Sequence, residues 1–195
     1  MKENMIANPK ILVTYASRTG WTTGVAEAIG KTLAEQGAQV DVLPMRAVEN
    51  LSGYDAVIAG SGINGASWLP EALEFVRAHQ TELQRKPFAA FLVCMTLATL
   101  APGASAGVKN GEQYRDHVAT WLDPISALVK PVSKGLFAGG LDISKVPTFK
   151  DRLGFHLSVL FGVWKEGDHR DWNAIREWAL QTNKLIEERL VSHAR

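Results

Sequence analysis

One cysteine in 195 residues, no excess of either charge and no long apolar run remove several kinds of protein at once. Cys94 stands alone, so there is no disulfide framework, and a reducing compartment fits. It sits inside Phe88-Ala89-Ala90-Phe91-Leu92-Val93-Cys94-Met95, where a cysteine acts as a small buried apolar residue. Lysine and arginine number 21 against 20 aspartates and glutamates, a net charge of +1. A nucleic-acid binder needs a basic footprint, so nucleic acid is not an expected partner. Residues 1–10 have no apolar core of a signal peptide, and the longest apolar stretch, Phe88 to Ala101, is shorter than the ~18 residues of a spanning helix. The expectation is a soluble cytoplasmic protein, peripheral at most to the inner face of the cell membrane. His79, His117 and His193 are scattered, His156 and His169 lie within residues 142–171 where they could serve as acid or base, and no His/Cys/carboxylate set has metal-ligand spacing. No G-x-S-x-G elbow follows a strand, which leaves a Ser-His-Asp hydrolase unsupported.

The composition, 46% hydrophobic, suits one domain with a substantial core, taken here as residues 1–195. Apolar periodicity then alternates between strand and helix. Ile11 to Ala16 reads as a strand, and Val25, Ala26, Ile29 and Leu33 recur at helical spacing up to Gly37. Ala38 to Leu43 and Tyr54 to Gly60 are strands, the latter buried on both faces; Leu69 to Leu83 is a helix with Leu73 and Val76 inward. Phe88 to Met95 is a fourth strand, Tyr114 to Leu122 a helix and Gly135 to Leu141 a fifth strand. Trp172 to Val191 is a long amphipathic helix with Ile175, Trp178, Ala179, Leu185 and Ile186 mostly on one side. Such alternation predicts a parallel sheet covered on both faces, with ligands at the carboxyl ends of its strands.

The most informative residues stand at the first of those ends. Ser17-Arg18-Thr19-Gly20-Trp21-Thr22 follows a strand and opens a helix, where backbone amides are free to hold an anion. The run has no lysine, and Arg18 is its formal charge, so hydroxyls and amides would do the binding. The alternative is an ordinary Ser/Thr helix cap with no ligand. Two further loops lie at the same end. Gly60-Ser61-Gly62-Ile63-Asn64-Gly65-Ala66-Ser67-Trp68 is rich in glycine, which lets amides approach a flat ring. A third loop runs from Thr96 to Glu112, too long for a simple connection and expected to be mobile. The Gly60 to Gly65 run formally matches the dinucleotide pattern G-x-G-x-x-G, but it follows the third strand, and no acidic residue ends the next one. Gly24 and Gly30-Lys31-Thr32 mimic a P-loop with glycines one residue too far apart.

The pattern S-x-T-G-x-T at Ser17, Thr19, Gly20 and Thr22 resembles the phosphate loop of the flavodoxin family. That resemblance implies a flavodoxin-like three-layer α/β/α sandwich with a five-stranded parallel sheet of order 2-1-3-4-5. It also implies FMN as cofactor, its phosphate held by Ser17, Arg18, Thr19, Gly20, Trp21 and Thr22. Ser61, Gly62, Ile63, Asn64, Thr96, Leu97 and Ala98 inherit the flanks of the flavin ring by position. Trp21 and Trp68 are the aromatic candidates to shield the ring, with Trp21 equally able to pack against the protein. Electron-carrying flavodoxins are acidic, and this chain is neutral.

Between the fifth strand and the last helix lies an extra segment, residues 142–171. Within it Leu153, Leu157, Leu160, Phe161 and Trp164 form one helical stripe, with Phe155, Val159 and Val163 extending the apolar character. A helix over 149–164 must pack on the domain, enter a homodimer, or touch lipid or an apolar substrate. Ala138-Gly139-Gly140-Leu141, Phe149-Lys150-Asp151-Arg152-Leu153 and Gly167-Asp168-His169-Arg170-Asp171-Trp172 are similar to the quinone-dependent protoporphyrinogen IX dehydrogenase branch of the family, from heme biosynthesis. This implies an FMN oxidoreductase that takes electrons from an apolar porphyrin-like substrate and passes them to a quinone. No catalytic residue is assigned and no metal is expected. Two alternatives stand beside it: a flavodoxin-like electron-transfer protein serving a redox partner, and a flavin-free subunit that binds through the 149–164 helix.

Overall fold

A computed structural model describes residues 8–100, 111–146 and 148–193. The elements in chain order are β1 (Lys10–Ala16), α1 (Trp21–Glu35), β2 (Gln39–Pro44), β3 (Ala56–Asn64), β4 (Ser67–Trp68), α2 (Pro70–Ala78), α3 (Gln80–Leu83), β5 (Phe88–Cys94), α4 (Gly111–Ala119), α5 (Asp123–Leu128), β6 (Ser133–Ala138), β7 (Gly140–Leu141), α6 (Phe149–Leu160), β8 (Gly167–Asp168) and α7 (Trp172–His193). The sheet order is β2-β1-β3-β5-β6, all neighbours parallel, which is the expected 2-1-3-4-5 arrangement counted over the five long strands.

Alternation along each strand divides the core into two layers. On one face Ile11, Val13, Ile58 and Phe91 meet Val25, Ile29 and Leu33 of α1 and Ile175, Ala179 and Ile186 of α7. On the other, Leu12, Val57, Ala90 and Leu92 meet Ala72, Phe75 and Val76 of α2, Leu83 of α3, and Val118, Leu122 and Ile125 from the α4–α5 region. The central strands are buried on both sides, as parallel strands with helices on both faces must be. The architecture is therefore α/β/α in three layers.

Several boundaries and one side-chain orientation differ from the sequence reading. The helix over 69–83 breaks at His79 into α2 and α3. The strand over 54–60 begins two residues later and runs on to Asn64, because β1 supplies partners as far as Ser61, β5 as far as Gly62, and β4 pairs with Ile63 and Asn64. The run 135–141 splits into β6 and a short β7, which turns away to pair with β8. Leu185 points outward, leaving Ile175, Ala179 and Ile186 as the buried stripe of α7.

The extra segment leaves the sheet at β7 and returns at β8, with Gly140 opposite Asp168 and Leu141 opposite Gly167. Its helix α6 starts at a Thr148 N-cap: the Asp151 amide donates to Thr148 Oγ1 at 3.1 Å, and that hydroxyl donates to Asp151 Oδ2 at 2.6 Å. No residue of α6 is buried, and Phe149, Leu160 and Phe161 are each more than three-quarters exposed. Leu153, Leu157, Leu160 and Phe161 thus face outward, whereas Phe155 and Trp164 are half-buried. Among the described residues, no helix is long and apolar enough to cross a membrane.

Candidate functional site

A cleft of about 460 Å³ opens at the carboxyl ends of β1, β3 and β5, where the doubly wound fold places its ligands. Its first wall is the turn from β1 into α1. Gly20 caps α1 at φ +85°, a left-handed backbone that favours glycine, and supplies no side chain to the first turn. No acidic residue stands in that turn either, so its amides and the positive end of the helix dipole face the cleft uncancelled. Ser17 Oγ accepts from the Gly20 amide at 3.0 Å, which tightens the turn. Ser17, Arg18, Thr19, Trp21 and Thr22 all line the cleft; Arg18 is exposed, Thr19 half-buried and Thr22 buried. Gly20 shapes the turn without lining the cleft.

The second wall is a hairpin rather than a glycine-rich loop. β3 continues through Asn64, turns at Gly65 (φ +58°) and Ala66 (φ +59°), and returns as β4, with Asn64 opposite Ser67. Two successive positive φ values make the tight turn that suits the strand twist. Ala66 pays the usual penalty of a non-glycine residue in this region, about 1–2 kcal/mol. Gly62, Ile63 and Asn64 line the cleft together with Gly65 and Ala66. Ser61 does not: it is fully buried, its hydroxyl donating to the Gly62 carbonyl at 2.7 Å and accepting from the Leu69 amide at 3.0 Å. The dinucleotide reading also ends here, because Gly60 and Gly62 are strand residues and β4, not a helix, follows. Gly60 is instead covered by the Phe91 ring, which leaves no room for a Cβ.

From the third wall Val93, Cys94, Met95 and Thr96 reach the cleft, whereas Leu97 and Ala98 turn into the interior at 4% and 6% exposure. Most of the long third loop, residues 101–110, lies outside the described residues. Burial pushes the Cys94 thiol up to about 11, so at neutral pH it is a protonated apolar lining group and not a nucleophile. Trp68 belongs to the core at 2% exposure and shields nothing in the cleft. Trp21 lies against Gly140, where an added Cβ would stand 2.6 Å from the indole.

The remaining wall was missed by sequence reasoning. Trp121, Gly139, Gly140, Leu141, Asp142, Val146, Asp151, Phe155 and Trp164 complete the lining. Three aromatic rings thus come from outside the anticipated loops, two of them from the extra segment. The double glycine closing β6 was the available signal, since every strand of such a sheet delivers its carboxyl end to the same place. Asp142 and Asp151 are the acidic groups of the lining. Hydrogen bonds from Ser144, and then from Lys145, hold the Asp142 carboxyl below its ordinary value, so it is ionised at neutral pH.

The donor set and the cleft suit a phosphate monoester carrying a flat apolar ring. Uncapped amides and hydroxyls cluster at one end, and Ile63, Leu69, Val93, Leu141 and Val146 with the aromatic groups line the rest. Fold and site together define a doubly wound nucleotide-type binding protein of flavodoxin architecture. Among solved structures, a short-chain flavodoxin associated with a bacterial microcompartment superposes with a TM-score of 0.55 at 14% identity, over 90% of this chain and 97% of that one. The flavodoxin of Streptococcus pneumonia TIGR4 gives 0.51 at 14% identity, over 92% and 99%.

A model of the flavodoxin domain family matches residues 12–155, and the chain belongs to that family. FMN is its cofactor. Curated relatives include a protoporphyrinogen IX dehydrogenase (quinone) of Escherichia coli K12, 31% identical over 188 residues, which is 92% of this chain and 97% of that protein. A protein of the same name from Leishmania major is 27% identical over 180 residues, 88% of this chain and 74% of its own length.

Proposed function

We propose that this chain is an FMN-dependent oxidoreductase of the protoporphyrinogen dehydrogenase type, which oxidises an apolar porphyrinogen-like substrate and reduces a quinone. The observation that carries this reading is the alignment with the Escherichia coli dehydrogenase over nearly the full length of both chains. The exposed apolar helix of that segment supports it, since Phe155 and Trp164 extend from there into the cleft. A neutral surface offers little steering toward a charged protein partner, which disfavours a dedicated electron carrier.

In this reading Ser17, Thr19 and Thr22, with the amides of the turn, hold the phosphate; Gly62 to Asn64 and Thr96 run beside the ring. FMN, when bound, supplies acceptance of a hydride equivalent and its delivery to a second acceptor. The protein orients substrate and excludes water: Trp121, Phe155 and Trp164 close the cleft with apolar surface, and the ionised Asp142 is held by Ser144 and Lys145 at its rim. We assign the outward stripe Leu153, Leu157, Leu160 and Phe161 to a lipid surface, from which apolar substrate and quinone enter.

Purified protein loaded with FMN and incubated anaerobically with protoporphyrinogen and a quinone tests the proposal. Appearance of porphyrin fluorescence dependent on both FMN and quinone is the expected result. FMN-loaded protein that leaves the porphyrinogen unchanged would sink it, and rapid electron exchange with a small redox protein in its place would favour the carrier.

A further inference from the structure

Arg170 does not line the cleft, but its side chain is only 13% exposed and is surrounded on every side by specified contacts. Its Nε and Nη2 donate to the two carboxylate oxygens of Asp168 at 2.8 and 2.7 Å, a bidentate fork. The guanidinium lies over the ring of Trp21, 4.8 Å from its centroid, and over that of Trp172 at 4.2 Å. Nη1 donates to the Trp21 carbonyl at 3.4 Å. Two glycines make the arrangement possible: a Cβ on Gly24 would collide with Nη1 of Arg170, and one on Gly140 with the indole of Trp21.

These contacts join two parts of the chain far apart in sequence. Trp21 is the first residue of α1, so its amide belongs to the phosphate turn, and its indole is held between Gly140 of β7 and Arg170. Gly140 and Asp168 are opposite one another in the β7–β8 ladder that forms the neck of the extra segment. The neck is fastened further by the His169 amide donating to the Gly139 carbonyl at 3.1 Å.

We infer that Arg170 is a positioning residue for the phosphate turn, clamping Trp21 against β7 so that the first amides of α1 and the neck of the extra segment are ordered together. The role is geometric and not that of a second cationic ligand, because Asp168 neutralises the guanidinium at contact distance. Ordering that is shared between two regions makes their responses reciprocal: a phosphate on the turn stiffens the neck, and a loosened neck weakens the turn. The inference rests on FMN as cofactor and not on the identity of the substrate.

The test compares FMN with riboflavin, which lacks the phosphate, by flavin-fluorescence titration of wild type, R170Q, R170K and D168N. R170Q is expected to raise the Kd for FMN about tenfold and that for riboflavin less than about threefold, so that selectivity for the phosphate falls. R170K keeps a cation near Trp21 without the fork and is expected to bind FMN more weakly than wild type. D168N separates the two accounts. Positioning predicts weaker FMN binding, whereas a Coulombic role predicts tighter binding once the guanidinium is no longer neutralised. Tighter FMN binding by D168N, or equal loss of FMN and riboflavin in R170Q, overturns the inference. Should R170Q fail to fold, D168N and amide exchange of the wild-type protein decide: FMN is expected to slow exchange at Leu141 and Gly167, and unchanged exchange there overturns the clamp. Wild-type protein that binds no flavin would overturn the FMN assignment as well, an outcome distinct from normal FMN binding that the variants leave unaltered.

Discussion

The phosphate turn and the extra segment both wall one cleft, yet the chain builds them by different means. The turn is the junction of two core elements, β1 with Ile11, Leu12 and Val13 fully buried and α1 with Val25, Ala26, Ile29 and Leu33 equally so. No residue of helix α6 is fully buried, and the segment is tied down by polar contacts: the Thr148 cap on the Asp151 amide, Arg152 Nη2 donating to the Val146 carbonyl at 3.0 Å, and the Glu166 carboxylate accepting the Ile143 amide at 3.1 Å. A cofactor that stays bound calls for the first kind of construction. An apolar substrate that enters and leaves is served by the second, in which apolar surface is held ready but not consumed by the core.

The comparison breaks most sharply if the two walls respond alike to substitution. The largest effect on flavin binding is expected at the phosphate turn, where T19E places a carboxylate beside the phosphate on a half-buried side chain. Like-charge contact at that range predicts loss of FMN affinity by a hundredfold or more, about 3 kcal/mol, with little change in the melting of the apoprotein. Retained FMN binding, read by flavin fluorescence, would remove the turn from the site. Next comes the core beneath it. Phe91 is fully buried, covers Gly60 and packs edge-on against Trp178 at 6.1 Å. F91A is expected to destabilise the fold by about 3–5 kcal/mol in urea unfolding. A cost below about 1 kcal/mol would mean that the face shared with α7 is loosely packed.

At the neck the effect is smaller and depends on pH. The hydrogen bond from Arg170 holds the Asp168 carboxyl below its ordinary value. A carboxyl lowered in the folded state contributes stability that is complete above the unfolded value and is lost as pH falls through the folded one. Wild type is therefore expected to exceed D168N at neutral pH and to converge with it in acid. Asp168 remains more than a third exposed, so screening limits the difference to about 1 kcal/mol or less. Urea midpoints measured from neutral pH downward check this, and curves that stay parallel into acid would refute it.

What could be read in the sequence follows the same division. Strand order, both helical layers and the turn at Ser17 to Thr22 were legible because apolar periodicity and the S-x-T-G-x-T spacing are local signals that the tertiary fold reinforces. The hairpin at Gly65-Ala66 was not, since glycine-rich sequence reads as loop, and pairing as far as Gly62 depends on β1 and β5 lying alongside. Ser61, Leu97 and Ala98 sit in the right loops but point away from the cleft, a matter of side-chain direction that spacing alone does not determine. Trp121, Phe155 and Trp164 reach it from elements remote in sequence. Arg170 is legible only through its contacts with Asp168, Trp21 and Trp172, and Gly24 and Gly140 look like ordinary helix and loop residues until the guanidinium is placed against the first and the Trp21 ring against the second.

The smallest expected effect on stability is at the outward stripe of α6, and it is the most instructive about function. Leu157 is 47% and Leu160 77% exposed, so replacing both with serine removes little buried area, and unfolding should shift by no more than about 0.5 kcal/mol per site. Were the stripe instead the buried face of a homodimer, the same variant would lower the apparent stability in a concentration-dependent manner and release monomers in sedimentation. On a lipid surface the variant would stay as stable as wild type at every concentration, yet would cosediment less with vesicles and turn over porphyrinogen more slowly when substrate and quinone are supplied in them. A stripe that alters none of these quantities would place the apolar access route elsewhere on the cleft rim, beside Trp121 and the hairpin, and leave α6 as a polar-tied cover over the site.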